Sequence, residues 1–228
     1  SFFYFALIAR LIGVENTGIY FFAIAFATIF SVIADFGLGA ILTRQSARYP
    51  EKISNYINTV FGAKVFSVLF TYLLLVISAN LLEYSEQTKI LIYISGLTMI
   101  FDNIHNIFYA VFRAKKNLAY ESFALVASQF ITLAIGTIAL FLKLPLLFLI
   151  LAYTIPSFLN AIYSALIAIK KYSIKFRPHI DKKILKSFLK MGLPFALAGI
   201  IARFYAYSDS IIMSKLLSNT ELGLWGVS

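Results

Sequence analysis

The sequence predicts an all-α polytopic membrane protein, and three observations carry that prediction. Of 228 residues, 61% are hydrophobic and only 13% charged, with a mean hydropathy of +0.85, whereas soluble domains carry about a quarter of their residues as charges. The charges fall in clusters separated by long neutral runs: 19 residues between Glu15 and Asp35, 18 between Lys64 and Glu83, 21 between Glu121 and Lys143, and 26 between Lys143 and Lys170. About 20 apolar residues cross the hydrocarbon core as a helix. Finally, there is no cysteine, which removes disulfides, thiolate metal sites and a thiol nucleophile.

Taken in chain order, the apolar windows and their breakers place spans at 1–9 (partial), 18–42, 56–81, 90–112, 119–142, 146–169 and 193–214, with another opening near 222. The first is too short for a bilayer, and neither a basic start nor a cleavage site of the signal-peptide kind precedes it. The sequence is therefore expected to be cut from a larger protein at both ends. Connections alternate between two sides. One set (43–55, 113–118 and 170–192) holds fourteen Lys and Arg, and the other (10–17, 82–89, 143–145 and 215–223) holds four. The positive-inside rule makes the first set cytoplasmic, and a cytoplasmic N-terminus in a cell (inner or plasma) membrane follows. The net charge of +10 then reports orientation and contact with anionic lipid on that face, and nucleic acid is not an expected partner. The expected division is a six-helix lobe over 1–169, a basic linker over 170–192 and the start of a second lobe over 193–228. Within the linker Ile180, Ile184, Phe188 and Met191 recur at helical spacing among Lys182, Lys183, Lys186 and Lys190, which predicts an amphipathic helix on the lipid headgroups.

The spans carry polar residues in stripes. Ser95, Thr98, Asp102, His105, Asn106, Tyr109 and Arg113 share one helical face, as do Tyr153, Ser157, Asn160 and Ser164 beside Pro156, Arg203, Tyr207, Ser210 and Ser214, Lys64, Ser67, Thr71 and Ser78, and Thr28, Ser31 and Asp35. Ser, Thr and Asn in such stripes serve either interhelical hydrogen bonds or a hydrated cavity. Charges are harder to explain by packing, because each costs several kcal/mol at membrane depth without a partner or water. Asp35, Asp102, Asp209, Lys64 and Arg203 are five such charges, and they predict a cavity lined by both signs, suited to a polar or anionic solute. Lys64 and Arg10 lie near span ends, where a long side chain can also snorkel. Asp35 and Asp209 fit a coupling-ion role or ion pairs with those cations, and Asp102 with His105 fits a proton relay or a packing pair. No metal site is expected, since no second His or acidic cluster stands at ligand spacing. The connections are too short to house a catalytic loop, so no enzyme and no cofactor are expected.

Shifting the chain by 205 residues lays 9–23 over 214–228, with Leu11/Leu216 and Gly18/Gly223 identical and Arg10/Lys215, Ile12/Leu217, Ile19/Leu224 and Tyr20/Trp225 conservative. Such a match suits parallel repeats. The stretch over 9–48, with Arg10, Gly13, Gly18, Asp35, Phe36, Gly37, Leu38, Arg44 and Arg48, resembles the polysaccharide-export flippases (O-antigen or lipid-linked oligosaccharide flippases) of the multidrug/oligosaccharidyl-lipid/polysaccharide superfamily. YAVFRAKKNLAYES over 109–122 and the Asp209 region before SIIMSKLLSNTELGLW resemble two further parts of that pattern. The resemblance implies a V-shaped, MATE-like architecture of two six-helix lobes. It also implies movement of a polyprenyl-diphosphate-linked oligosaccharide, as in lipopolysaccharide assembly, from the cytoplasmic to the outer leaflet, with H+ or Na+ as a coupling ion. Arg10, Arg44, Arg48 and Asp35 carry over by motif position. Lys64, Arg113 and Arg203 join the expected substrate-binding cations from the stripes, and Asp102, His105, Asn106, Tyr109, Asn160, Tyr207 and Asp209 the expected cavity or ion-coupling groups. The alternatives are an ion-coupled drug or organic-cation antiporter of the same superfamily and a non-transporting membrane scaffold.

Overall fold

A computed structural model of the chain describes residues 11–174 and 179–216, apart from the side chains of 208–211 and 213–216. Arg10, the partial span over 1–9, the opening near 222, the side chain of Asp209 and most of the second copy of the repeat lie outside the described residues. The rest is helical: α1 (Val14–Asp35), α2 (Leu38–Arg48), a 3-10 turn (Pro50–Lys52), α3 (Ile53–Leu81), α4 (Glu86–Ala114), α5 (Ala119–Phe141), α6 (Leu146–Tyr172) and α7 (Lys182–Leu216). There is no strand among the described residues. Six of these segments are long and apolar enough to cross a membrane.

The span expected over 18–42 is two helices. α1 ends where Phe36 adopts a left-handed φ of 46° and donates its amide to Val32, and Gly37 follows at φ 69°. Only glycine takes that second position without strain. Space forbids a side chain there too, because a Cβ on Gly37 would stand 2.6 Å from the Gly192 carbonyl oxygen of α7. Gly192 in turn lies against the Phe36 carbonyl, and Gly199, two turns on, against Val32. Small residues on α7 thus let it cross the break at backbone contact.

Other ends follow from local chemistry. Ser85 accepts the Thr88 amide at 3.3 Å and caps α4. Asp181 accepts the amides of Lys183 and Ile184 at 2.8 and 3.1 Å and starts α7. Pro156 lies inside α6, which continues through it. α7 has 35 residues, about 52 Å at 1.5 Å per residue, so it extends well beyond the roughly 30 Å hydrocarbon core. Its first turns are the basic amphipathic segment expected over 180–191. The apolar face of that segment packs on protein: Phe188 is buried with its ring 5.1 Å from Tyr56, Ile184 and Met191 join the same cluster, and Ile180 sits over Gly62. The apolar face is thus turned to α3, while Lys182, Lys183, Lys186 and Lys190 stay exposed.

α4 is the central post, packing against α1, α2, α3 and α6. α5 rests on α6, and α7 on α1, α2 and α3. The apolar core divides in two. One cluster joins Tyr20, Phe22 and Phe26 of α1 to Leu75, Leu91, Ile92, Leu140 and Leu149. The other joins Ile41 and Leu42 of α2 to Ile57, Val60, Phe108, Phe112, Ala168 and Phe188. Between them along α4 lie Ser95, Thr98, Asp102 and Asn103, so a polar belt separates two greasy ends.

A buried ion pair at a broken helix

Lys64 is the most deeply buried charge in the belt. Its side chain is 1% exposed, and its ammonium donates to Asp35 Oδ1 at 2.5 Å, Asn103 Oδ1 at 2.9 Å and, at 3.4 Å, the Asn103 carbonyl oxygen. Three donors meet three acceptors, which is the full capacity of an ammonium. Lys64 therefore does not snorkel. Asn103 completes the knot by donating to Ser31 at 3.2 Å and to the Met99 carbonyl at 3.0 Å. Ser67, one turn along α3, donates to the Ala34 carbonyl at 3.0 Å. The last turn of α1 is thereby tied to α3 and α4 immediately before the chain breaks. Asp35 differs from its partner, with its side chain 37% exposed and Gly39 the small neighbour beside its carboxylate.

A second polar array joins α4 to α6 and is neutral where it is best enclosed. Tyr109 donates to Asn160 Oδ1 at 3.0 Å, and Ser164 donates to the same oxygen at 2.9 Å. Thr98 and Thr154 share a hydrogen bond of 2.7 Å. Tyr109, Asn160 and Ser164 are all buried, so these residues brace two helices. Asp102 lies between the two arrays with Ser157 of α6 as a hydrogen-bond partner, its side chain 43% exposed. His105 Nδ1 stands 3.7 Å from Asp102, beyond hydrogen-bond reach, and is buried with no hydrogen-bond partner among the described residues; its ring packs on Tyr109 at 4.8 Å. Asn106 is exposed one turn from Asp102 and donates to its carbonyl.

The remaining expected cations are spread out. Arg44 and Arg48 share the exposed face of α2 with Ala40, and Arg48 and Lys52 both lie over the Tyr49 ring, at 5.4 and 5.3 Å. Arg203 is exposed on α7 with its guanidinium 5.8 Å from the Tyr207 ring centre. Arg113 forms a two-pronged pair with Glu121 across the α4–α5 turn. Two of the decisive partners, Asn103 and Glu121, lie outside the stripes. Among the described residues no group of three or more His, Asp or Glu is placed to hold a metal ion.

A family model described as polysaccharide biosynthesis protein matches residues 1–227. The chain belongs to that family. The match covers both the Asp35–Phe36–Gly37 break and α7, and it agrees with the resemblance carried by 9–48. Membership ties this membrane-embedded protein to polysaccharide synthesis or export, a family whose members are generally transporters. No curated protein and no solved structure matches the chain.

Proposed function

We propose that the protein moves a polyprenyl-diphosphate-linked oligosaccharide from the cytoplasmic to the outer leaflet of the cell membrane by alternating access, as the first lobe of a two-lobe flippase. The observation that carries this reading is the Lys64–Asp35 pair at the end of α1. A charge pair at membrane depth is retained at a cost in desolvation, and this one is fastened to the broken span α1–α2, at the point where α7 crosses it.

In this scheme the diphosphate first meets Arg44 and Arg48, about 10 and 16 Å from Gly37 along α2 at 1.5 Å per residue. Arginine suits phosphate because its planar fork offers paired donors. The sugars, rich in hydroxyls, meet Asn106 and the exposed edge of Asp102, and Arg203 with Tyr207 receives the substrate from the α7 side. Tyr109 and Asn160 serve as bracing, and Lys64 acts by holding the break while its ammonium stays with Asp35. α7 pivots on the Gly37–Gly192 contact, and motion there reaches Asp35 through two residues of backbone. Asp35 and Asp102, both partly exposed, are the groups to take a coupling H+ or Na+, with His105 beside the second.

Reconstituting the full-length protein with a fluorescent lipid-linked oligosaccharide and following its loss from the inner leaflet tests the reading. Translocation that falls in Arg44→Gln/Arg48→Gln, and that slows when the proton and sodium gradients are collapsed, is the expected result. Among the described residues no Lys or Arg is paired with Asp102, which favours the organic-cation alternative over a scaffold. Export of a cationic dye, with no movement of the oligosaccharide, would replace the flippase by that antiporter.

A further inference from the structure

Beside the α4–α5 turn the structure holds a cavity of about 590 Å³, lined by Arg113, Lys116, Leu118, Glu121, Ser122 and Leu125. Its polar wall is fixed. Glu121 is buried and grips Arg113 through Nε and Nη2, which orients the guanidinium plane and leaves Nη1 unused by the pair; the side chain remains 46% exposed. Lys116 is held at φ 55° where α4 ends, with its amide on the Arg113 carbonyl and the next amide on Phe112. α5 begins at Ala119, and its N-cap residue Leu118 offers no side-chain cap, so its first-turn amides keep their hydrogen-bonding capacity, at the helix end that favours negative charge. With two cations against one carboxylate the wall is net positive. The other wall is apolar, since Leu118 and Leu125 are exposed at 54% and 46% two turns apart on one face of α5. The turn lies at the end of the bundle that carries Arg48, Lys52, Lys170 and Lys171, where the apolar faces of the spans give way to charge.

A positive wall beside an apolar ledge, at the depth of the headgroups, matches one chemistry: a phosphodiester carrying acyl chains. We propose that this cavity is a binding site for the headgroup of an anionic phospholipid, with Arg113, Lys116 and Ser122 on the phosphate and Leu118 and Leu125 along the upper acyl chain. The occupant is a resident bilayer lipid and not the transported molecule, because the cavity sits on the α4–α5 turn while α7 packs on α1, α2 and α3. Arg113 then belongs to this site and leaves the set of substrate cations. The proposal does not depend on what the protein transports.

The test uses the full-length protein in nanodiscs of phosphatidylcholine doped with phosphatidylglycerol, with native mass spectrometry counting the lipids retained after mild delipidation. The wild type is expected to keep phosphatidylglycerol over phosphatidylcholine. Lys116→Gln should lower that preference about fivefold, the effect of one interfacial cation. Arg113→Gln/Glu121→Gln removes the guanidinium without changing net charge or stranding a carboxylate, and should lower it as well. Lys183→Gln on α7, exposed and remote, should leave it intact. Equal loss in Lys183→Gln, or none in Lys116→Gln, overturns the site in favour of diffuse attraction. Displacement of the lipid by glycerol phosphate alone would remove the acyl-chain part of the proposal, and displacement by polyprenyl diphosphate would hand the cavity to the substrate.

Discussion

Two buried polar arrays meet on α4, and they are built differently. The one on the α6 side is neutral: Tyr109, Asn160 and Ser164 share their hydrogen bonds out of reach of solvent. The one on the α1 and α3 side is charged, and it is lopsided. Lys64 is enclosed at 1% exposure while Asp35, its counterion, is 37% exposed. A bundle that needs only to hold helices together has the first solution available, at a gain of about 0.6 kcal/mol per hydrogen bond and at most about 1.7. A charged pair is a poor choice for that purpose, because desolvation consumes most of the attraction. The charged knot also adjoins the broken span and the α7 crossing, whereas the neutral one joins two unbroken helices. Burial is common to both arrays, so burial alone does not single out a candidate site; charge, asymmetry of exposure and proximity to a backbone break set the Lys64 knot apart.

Asp35→Ala strands an ammonium that cannot reach water, so it is expected to cost roughly 3–5 kcal/mol, seen as the largest fall in thermal unfolding temperature of the purified protein. Lys64→Met strands a carboxylate with access to solvent, and a smaller loss of roughly 1.5–3 kcal/mol is expected. Equal losses would mean that Asp35 is as enclosed as Lys64. Next comes the break itself. Gly37→Ala places a Cβ 2.6 Å from the Gly192 oxygen at a positive φ, for which roughly 1–3 kcal/mol is reasonable; an unchanged unfolding temperature would show that α7 does not press on the break. The smallest effect belongs to the neutral array. Tyr109→Phe removes the hydroxyl from Asn160, which keeps Ser164 as a donor, so the loss should be about 1 kcal/mol, with transport at the wild-type rate. Slowed transport in a fully folded Tyr109→Phe would erase the distinction between the arrays.

Much of the bundle was legible because composition and charge spacing leave few alternatives. The spans over 56–81, 90–112, 119–142 and 146–169 coincide with α3 to α6 to within a few residues at each end. The break at Phe36–Gly37 was less visible, since hydropathy runs on through it; the signal was a glycine directly after an Asp and an aromatic residue. The stripes located the polar belt but could not say which neighbour each residue would meet. Thr98, Asp102 and Tyr109 find partners on α6, and that is set by helix rotation, which periodicity does not encode. Asn103 was missed because it stands one residue off the stripe, where it points to α1 and α3 and closes the Lys64 knot. Glu121 stands outside the stripes, in the first turn of α5, so periodicity within one helix gives no sign that it faces Arg113 across the α4–α5 turn. At the start of α7 the apolar positions Ile184, Phe188 and Met191 pack on the protein; an apolar helix face fits a groove of protein as well as a membrane surface, and its periodicity does not say which neighbour it meets.

The most direct test of the charged knot is to neutralise both of its members at once. Asp35→Asn/Lys64→Met leaves no stranded charge, so its unfolding temperature should return close to the wild type, as replaced buried pairs commonly do. Lipid-linked oligosaccharide translocation by that variant, in full-length form in proteoliposomes, should fall to the level of empty vesicles. Wild-type translocation by the refolded, stable double variant would contradict the account, because the ion pair at the broken helix would then be packing and nothing more.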